Sequence, residues 1–188
     1  MGRWEPDAES RFRAAAIELF GEVGYEQTTV AAIAERAGLT ARTFFRYFAD
    51  KREVLFNGSE RLQQTMVDAV AQAPTDASAV DAIGAALTKV GDFFDEERRP
   101  FARLRSRVIA ANTDLLEREL IKMATLSAAL ALALRERGVG EPDASLAAEA
   151  GVAVFRVAFA QWVSEFERRG YVPIVKESLE RLRSLAAS

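Results

Sequence analysis

A chain of 188 residues that is 49% hydrophobic and 28% charged is long enough for one domain, or for a small domain joined to a larger one, and too apolar to stay unfolded. Cysteine and histidine are both absent, which excludes disulfides, thiolate nucleophiles, imidazole acid–base chemistry and the usual zinc ligands. There is no nucleophile elbow, phosphate loop or HExxH motif, so neither an enzyme nor a bound cofactor or metal is expected.

Ala- and Leu-rich stretches dominate and strand-like alternation is nearly absent, which reads as an all-α fold. No apolar run approaches the roughly 18 residues that cross a bilayer. The best candidate, between Gly151 and Phe166, is interrupted by Arg156 and Gln161. The opening Met-Gly-Arg-Trp-Glu-Pro-Asp lacks the apolar core of a signal peptide, and a cytoplasmic location is the expectation.

The spacing predicts a first helix from about Asp7 to Val23, with Phe12, Ala16, Leu19, Phe20 and Val23 on one face. Asp7 and Glu9 suit its N-terminal dipole, and Gly24 supplies its stop. Thr28 or Thr29 caps a short second helix reaching about Ala37; after Gly38, Thr40 caps a third from Ala41 to about Tyr47. Asp50 and Glu53 read as a capping box that opens one long fourth helix to about Gln72, before the Ala73-Pro74-Thr75 break. Five more helices follow, over about Ser78–Phe94, Arg99–Ala111, Asp114–Arg137, Asp143–Arg169 and Val172–Ala186, for about nine in all.

The second and third helices have the parts of a helix-turn-helix. Gly38 tolerates the positive φ of the turn and Ala34 permits a close helix crossing. Val30, Ile33, Ala37, Leu39, Phe44 and Tyr47 or Phe48 stand at the inward offsets. Outward on the third helix are Thr40, Ala41, Arg42, Thr43, Phe45 and Arg46, where a recognition helix meets base edges in the major groove. Arg42 suits a guanine O6/N7 edge, and Thr43 and Phe45 suit a thymine methyl. Thr28, Thr29, Tyr47 and Lys51 are placed as phosphate contacts, which set register without reading sequence. The net charge of −3 hides a local excess: residues 36–52 hold Arg36, Arg42, Arg46, Lys51 and Arg52 against Asp50 alone.

The run Thr28-Thr29-Val30-Ala31-Ala32-Ile33-Ala34-Glu35-Arg36-Ala37-Gly38-Leu39-Thr40, followed by Arg42 to Phe48 and Lys51, resembles the signature of the tetracycline-repressor (TetR) family. Leu19 to Tyr25 is similar to that family's first-helix ending, and the resemblance covers roughly residues 10–56. It implies a DNA-binding domain over residues 1–56 and a ligand-binding and dimerisation domain over 57–188. The chain would then be a homodimer that binds a palindromic operator in double-stranded DNA and is released by a small effector. Phe45 stands where the family usually has tyrosine, which removes a hydroxyl-to-phosphate contact.

The resemblance places the dimer on the last two helices. One apolar face carries Val152, Phe155, Phe159, Val163 and Phe166, with Trp162 at its margin, and the final helix offers Ile174, Val175, Leu179, Leu182 and Leu185. Arg156 falls within that stripe; it is expected to pair with a carboxylate such as Glu149 or Glu167, or to face an anionic effector. Candidates to line an effector cavity are Phe93, Phe94, Phe101, Leu104 and Met123, together with Leu126, Leu130, Phe155, Phe159 and Trp162. Their apolar character suggests a hydrophobic effector. An architectural DNA binder with the same head and no small ligand is the alternative.

Overall fold

The computed structural model describes Ala8 to Ala187; Asp7, expected to begin the first helix, lies outside the described residues. Among those residues the chain is helical throughout, as α1 (Ala8–Glu22), α2 (Val30–Arg36), α3 (Ala41–Tyr47), α4 (Glu53–Phe56), α5 (Ser59–Gln72), α6 (Ala79–Lys89), α7 (Arg99–Ala110), α8 (Thr113–Glu136), α9 (Asp143–Trp162) and α10 (Tyr171–Ala186). A 3-10 turn, Val90–Phe93, follows α6. None of these helices is long and apolar enough to cross a membrane. Two compact units emerge, one from the residues up to Asn57 with Leu104–Glu117, the other from Gly58–Arg103 with the residues after Glu117.

The first unit is built on aromatic packing. Phe12 of α1 meets Phe44 edge-on at 5.2 Å and Phe48 at 6.3 Å, and Phe44 and Phe48 lie 5.1 Å apart. Ile33 and Ala34 of α2 close this core from the other side. The end of α7 and the first turn of α8 add Val108, Ile109 and Leu115, all buried. Leu104, expected in an effector cavity, is instead part of this unit and stands against Gly21 of α1, where a Cβ would come within 3.1 Å of it.

The long fourth helix expected from Asp50 to Gln72 is broken. Asp50 does open its first turn, accepting from the backbone N–H groups of Arg52 and Glu53 at 2.8 and 3.2 Å. The helix then stops at Phe56, because Gly58 takes φ +88°, and restarts at Ser59. Asn57 anchors the joint by donating to the Glu9 carboxylate at 2.9 Å.

The second unit has α5, α6, α9 and α10 around a core of residues such as Met66, Ile83, Leu87, Leu134, Trp162 and Ile174. α9 ends at Trp162, short of the expected Arg169, and the cause is distant in sequence. Arg103 donates to the Val163 and Ser164 carbonyls at 3.0 and 2.6 Å, while Arg99 donates to those of Glu167, at 2.8 Å, and Arg169. Two guanidiniums thus satisfy carbonyls at and beyond the helix end and favour its negative pole.

The α9 face expected at a dimer interface lies inside this unit. Val152, Phe155 and Trp162, with Ile174, Val175 and Leu179 of α10, are buried within the chain's own core. Phe166 sits beyond the helix end and is 92% exposed. The exposed face carries Leu146, Ala153, Val157 and Ala160, and Arg156 lies on it rather than in a buried stripe. Glu149 accepts from Ser127 and Glu167 from Arg169 and Gln161, so neither expected carboxylate is paired with Arg156 within the chain.

A Cβ added to Gly58 would meet nothing within 4 Å, so replacing this residue tests backbone conformation alone. Gly58→Ala is expected to lower stability by about 1–2 kcal/mol, the cost of a left-handed alanine, measured by urea denaturation. An unchanged midpoint would show that the break does not depend on this glycine.

Candidate functional site

Three devices set α2, α3 and the turn between them. Thr29 and Thr40 each take extended backbone and accept, through the hydroxyl, from the backbone N–H three residues on, at 3.1 Å in both cases. Gly38 turns the chain between the helices with φ +64°. The third device has no signal in the sequence: Arg11 of α1 reaches 26 residues along the chain to donate to the Ala37 carbonyl at 2.6 Å, closing the C-terminal end of α2. No local pattern around Arg11 points to this contact.

With Phe44 fully buried, helical geometry turns its neighbours outward. Arg42, Phe45 and Arg46 are exposed, Phe45 to 58%. Ala41 and Thr43 are half-buried, and the Thr43 hydroxyl shares a hydrogen bond with that of Thr40 at 2.9 Å. Tyr47 is exposed, with Arg46 bonded to its hydroxyl at 3.3 Å and lying over its ring. Arg42, Phe45 and Arg46, flanked by Tyr47 and the threonine hydroxyls, therefore form one accessible surface of donors and apolar contacts.

Two expected phosphate contacts are committed elsewhere. Thr28 is buried and its hydroxyl donates to the Gly24 carbonyl at 2.8 Å. Lys51 is half-buried; its ammonium donates to the carbonyls of Tyr25, Glu26 and Thr28 at 2.8, 3.4 and 3.1 Å, and lies 4.2 Å from the Tyr25 ring centroid. An ammonium has three protons, and each has an acceptor here. Lys51 is a strut that shapes the loop leading into α2. Burial pushes the Tyr25 hydroxyl up to about 12, so the ring under the strut stays neutral.

The basic excess is also smaller than its count. Arg36 bonds Glu22 through both terminal nitrogens, at 3.0 and 2.8 Å, and pairs with Glu18; these bonds hold the Glu22 carboxyl below its ordinary range. Arg52 pairs with Asp50 at 2.6 Å. That leaves Arg42 and Arg46 as the arginines of this stretch directed at solvent from α3.

The candidate effector residues divide. Phe94, Phe155, Phe159 and Trp162 do converge, joined by Tyr171, which sequence reasoning misses because it opens α10, far along the chain. Leu126 and Leu130 are ordinary core residues, and Phe101 and Met123 are half-buried. Phe93 lies beneath Arg61, at 5.5 Å. A groove of about 660 Å³ runs along α6 and α10, with Asp81, Thr88, Lys176 and Arg183 among its walls, and a smaller one of about 240 Å³ is lined by Ser127, Arg135, Ser145 and Glu149. Neither is lined by the aromatic residues.

Lys51→Met is expected to lower the stability of the protein by about 1.5–3 kcal/mol, the range for a hydrogen bond involving a charged group. Arg42→Ala, at an exposed position, should change it by less than about 0.5 kcal/mol. Urea denaturation of both variants checks this division; equal stabilities would remove the structural role of Lys51.

A family described as bacterial regulatory proteins, tetR family, matches residues 12–57, from within α1 to just past the end of α4. The HTH-type transcriptional regulator TcmR of Streptomyces glaucescens is 37% identical over 75 residues, which is 40% of this chain and 33% of that protein. The aligned segment thus spans a third of the curated relative. Solved structures extend the likeness in fold to nearly the whole chain. A regulator assigned to the TetR family from Syntrophomonas wolfei aligns with TM-score 0.69 at 16% identity, covering 97% of this chain and 96% of its own. The transcriptional regulator FadR from Bacillus subtilis, solved in complex with stearoyl-CoA, aligns with TM-score 0.61 at 22% identity over 92% and 96%. Residues 12–57 thus match the helix-turn-helix domain of the tetR family of bacterial regulatory proteins, and the all-helical fold of the chain is similar to that of regulators assigned to that family.

Proposed function

We propose that the protein is a cytoplasmic homodimeric repressor that reads a palindromic operator with α3 and leaves it when a small hydrophobic effector binds the helical unit. The observation that carries the DNA-reading part is the outward set Arg42, Phe45 and Arg46 on a helix held by Phe44 from behind and capped by Thr40. Arg42 donates to a guanine edge, Phe45 meets a thymine methyl, and Arg46, Tyr47 and the Thr29 and Thr40 hydroxyls hold phosphates. Phe45 contributes apolar contact where tyrosine would have donated a hydrogen bond.

A seven-residue recognition helix cannot bind tightly by itself, so two heads must be held one helical turn of DNA apart. The exposed face of α9 suits that task. Leu146 and Val157 are 64% and 60% exposed, and the alanines between and beyond them allow a partner helix to approach closely. Effector binding favours a conformer of the dimer with lower DNA affinity; couplings of this kind are typically about 1–3 kcal/mol. The neighbouring fold of FadR, solved with stearoyl-CoA, supports a small-molecule role for the helical unit. The dense filling of the aromatic cluster around Phe94 favours the alternative, an architectural DNA binder without an effector.

Selection of genomic fragments by the purified protein tests the reading. A palindrome with half-sites about one turn apart is expected; enrichment without symmetry would contradict it. On the selected site, Arg42→Ala is expected to cost about 1–3 kcal/mol of discrimination against a changed base while leaving affinity for random DNA nearly unchanged. Val157→Asp is expected to give a folded monomer in sedimentation, with operator affinity lost; a dimer would move the interface off this face.

A further inference from the structure

The geometry points to a self-plugged aromatic site in the helical unit: Phe94 occupies the seat of a flat, neutral aromatic ligand whose acceptor oxygen would bond Trp162 and Tyr171. This rests on the effector reading above and names the chemistry of its ligand. Phe94 is held by four rings from α9 and α10, with centroids at 4.6 Å from Tyr171, 5.5 Å from Trp162 and Phe159, and 6.0 Å from Phe155. These are the spacings of favourable aromatic pairs, so the box is shaped for one ring. Yet Phe94 belongs to neither helix. It follows the 3-10 turn in non-helical conformation (φ −122°, ψ 61°), starts the connection to α7, and is only half-buried. A ring carried on such a connection can leave its seat without unfolding a helix.

Two of the rings around the seat also carry buried, unsatisfied donors. Trp162 and Tyr171 are 0% and 1% exposed, and the indole Nε1–H and the phenol hydroxyl each have no hydrogen-bond partner among the described residues. Buried polar groups are nearly always satisfied, and an orphan costs about as much as a lost hydrogen bond. The two rings lie 6.3 Å apart at 85°, and both contact Phe94. Phenylalanine offers them nothing; a ring bearing a carbonyl would supply the acceptor. The ligand is neutral because the cation found at the box among the described residues, Arg99 over the Trp162 ring at 5.2 Å, is already matched by Glu96 at 2.6 Å.

Calorimetry on the full-length protein with 2-acetylnaphthalene, and with 2-ethylnaphthalene as the analogue lacking the acceptor, tests this. Phe94→Ala, and Phe94→Leu should the smaller residue prevent folding, is expected to tighten binding of both probes by at least about tenfold by emptying the seat, since a buried aromatic side chain is worth several times RT. Trp162→Phe and Tyr171→Phe are each expected to weaken the ketone by about two- to twelvefold, the worth of one neutral hydrogen bond, and to leave the hydrocarbon unchanged. A folded Phe94 variant that binds neither probe, or Trp162 and Tyr171 variants that affect both probes alike, would overturn the proposal. Operator affinity is measured in parallel. Binding without DNA release keeps the site and contradicts the effector reading, whereas release that is insensitive to Phe94, Trp162 and Tyr171 keeps the effector reading and overturns the site.

Discussion

The orientation of α3 depends on the packing of Phe12 against Phe44 and Phe48. A helix of seven residues is too short to be stable by itself, since nucleation alone is unfavourable and marginal helices in water need about twice that length. Its caps and the Arg11 clamp on Ala37 limit fraying, but only the buried rings decide which face looks outward. Phe44 and Phe45 show the consequence: adjacent and chemically identical, one is fully buried and the other 58% exposed. Everything available to DNA on α3 follows from that rotation.

Charge enters as a second constraint. In a chain with net charge −3, a head that attracted DNA by bulk potential would need a broad basic surface. Instead, Arg36 and Arg52 are neutralised by Glu22, Glu18 and Asp50, and Lys51 is spent on backbone carbonyls. Among the described residues of this stretch, Arg42 and Arg46 are the arginines that α3 leaves facing solvent. Lys51 matters to the helix-turn-helix indirectly, by fixing the loop from which α2 and Thr29 start.

Legibility in the sequence tracks the range of the interactions. Gly38, Thr29, Thr40 and Asp50 act on their near neighbours, and each is assignable from the residues beside it. The Asn57-Gly58 break is also local, a turn-forming pair, but apolar periodicity on both sides of it favours one continuous helix and masks it. The end of α9 is not legible at all: the guanidiniums that receive its carbonyls lie 60 to 70 residues away. The two faces of α9 pose a different difficulty. Both Val152–Phe155–Trp162 and Leu146–Val157 are apolar, and periodicity alone cannot say which is used by the chain's own core. Size suggests the larger residues for a partner, whereas burial of a Trp and Phe stabilises the single chain most and claims them for its interior.

The same physics links the two ends of the molecule's proposed activity. In the head, one phenylalanine is held in while its neighbour stands exposed; in the helical unit, Phe94 packs among rings whose indole and phenol donors have no partner among the described residues. Methylation interference on the selected DNA site tests the central claim, that α3 reads the major groove, most directly. A major-groove reader gives strong interference from N7 methylation of guanines in both half-sites, lost at the guanine served by Arg42 when that residue is replaced by alanine. Interference confined to adenine N3 in the minor groove, or none at any guanine, would contradict it.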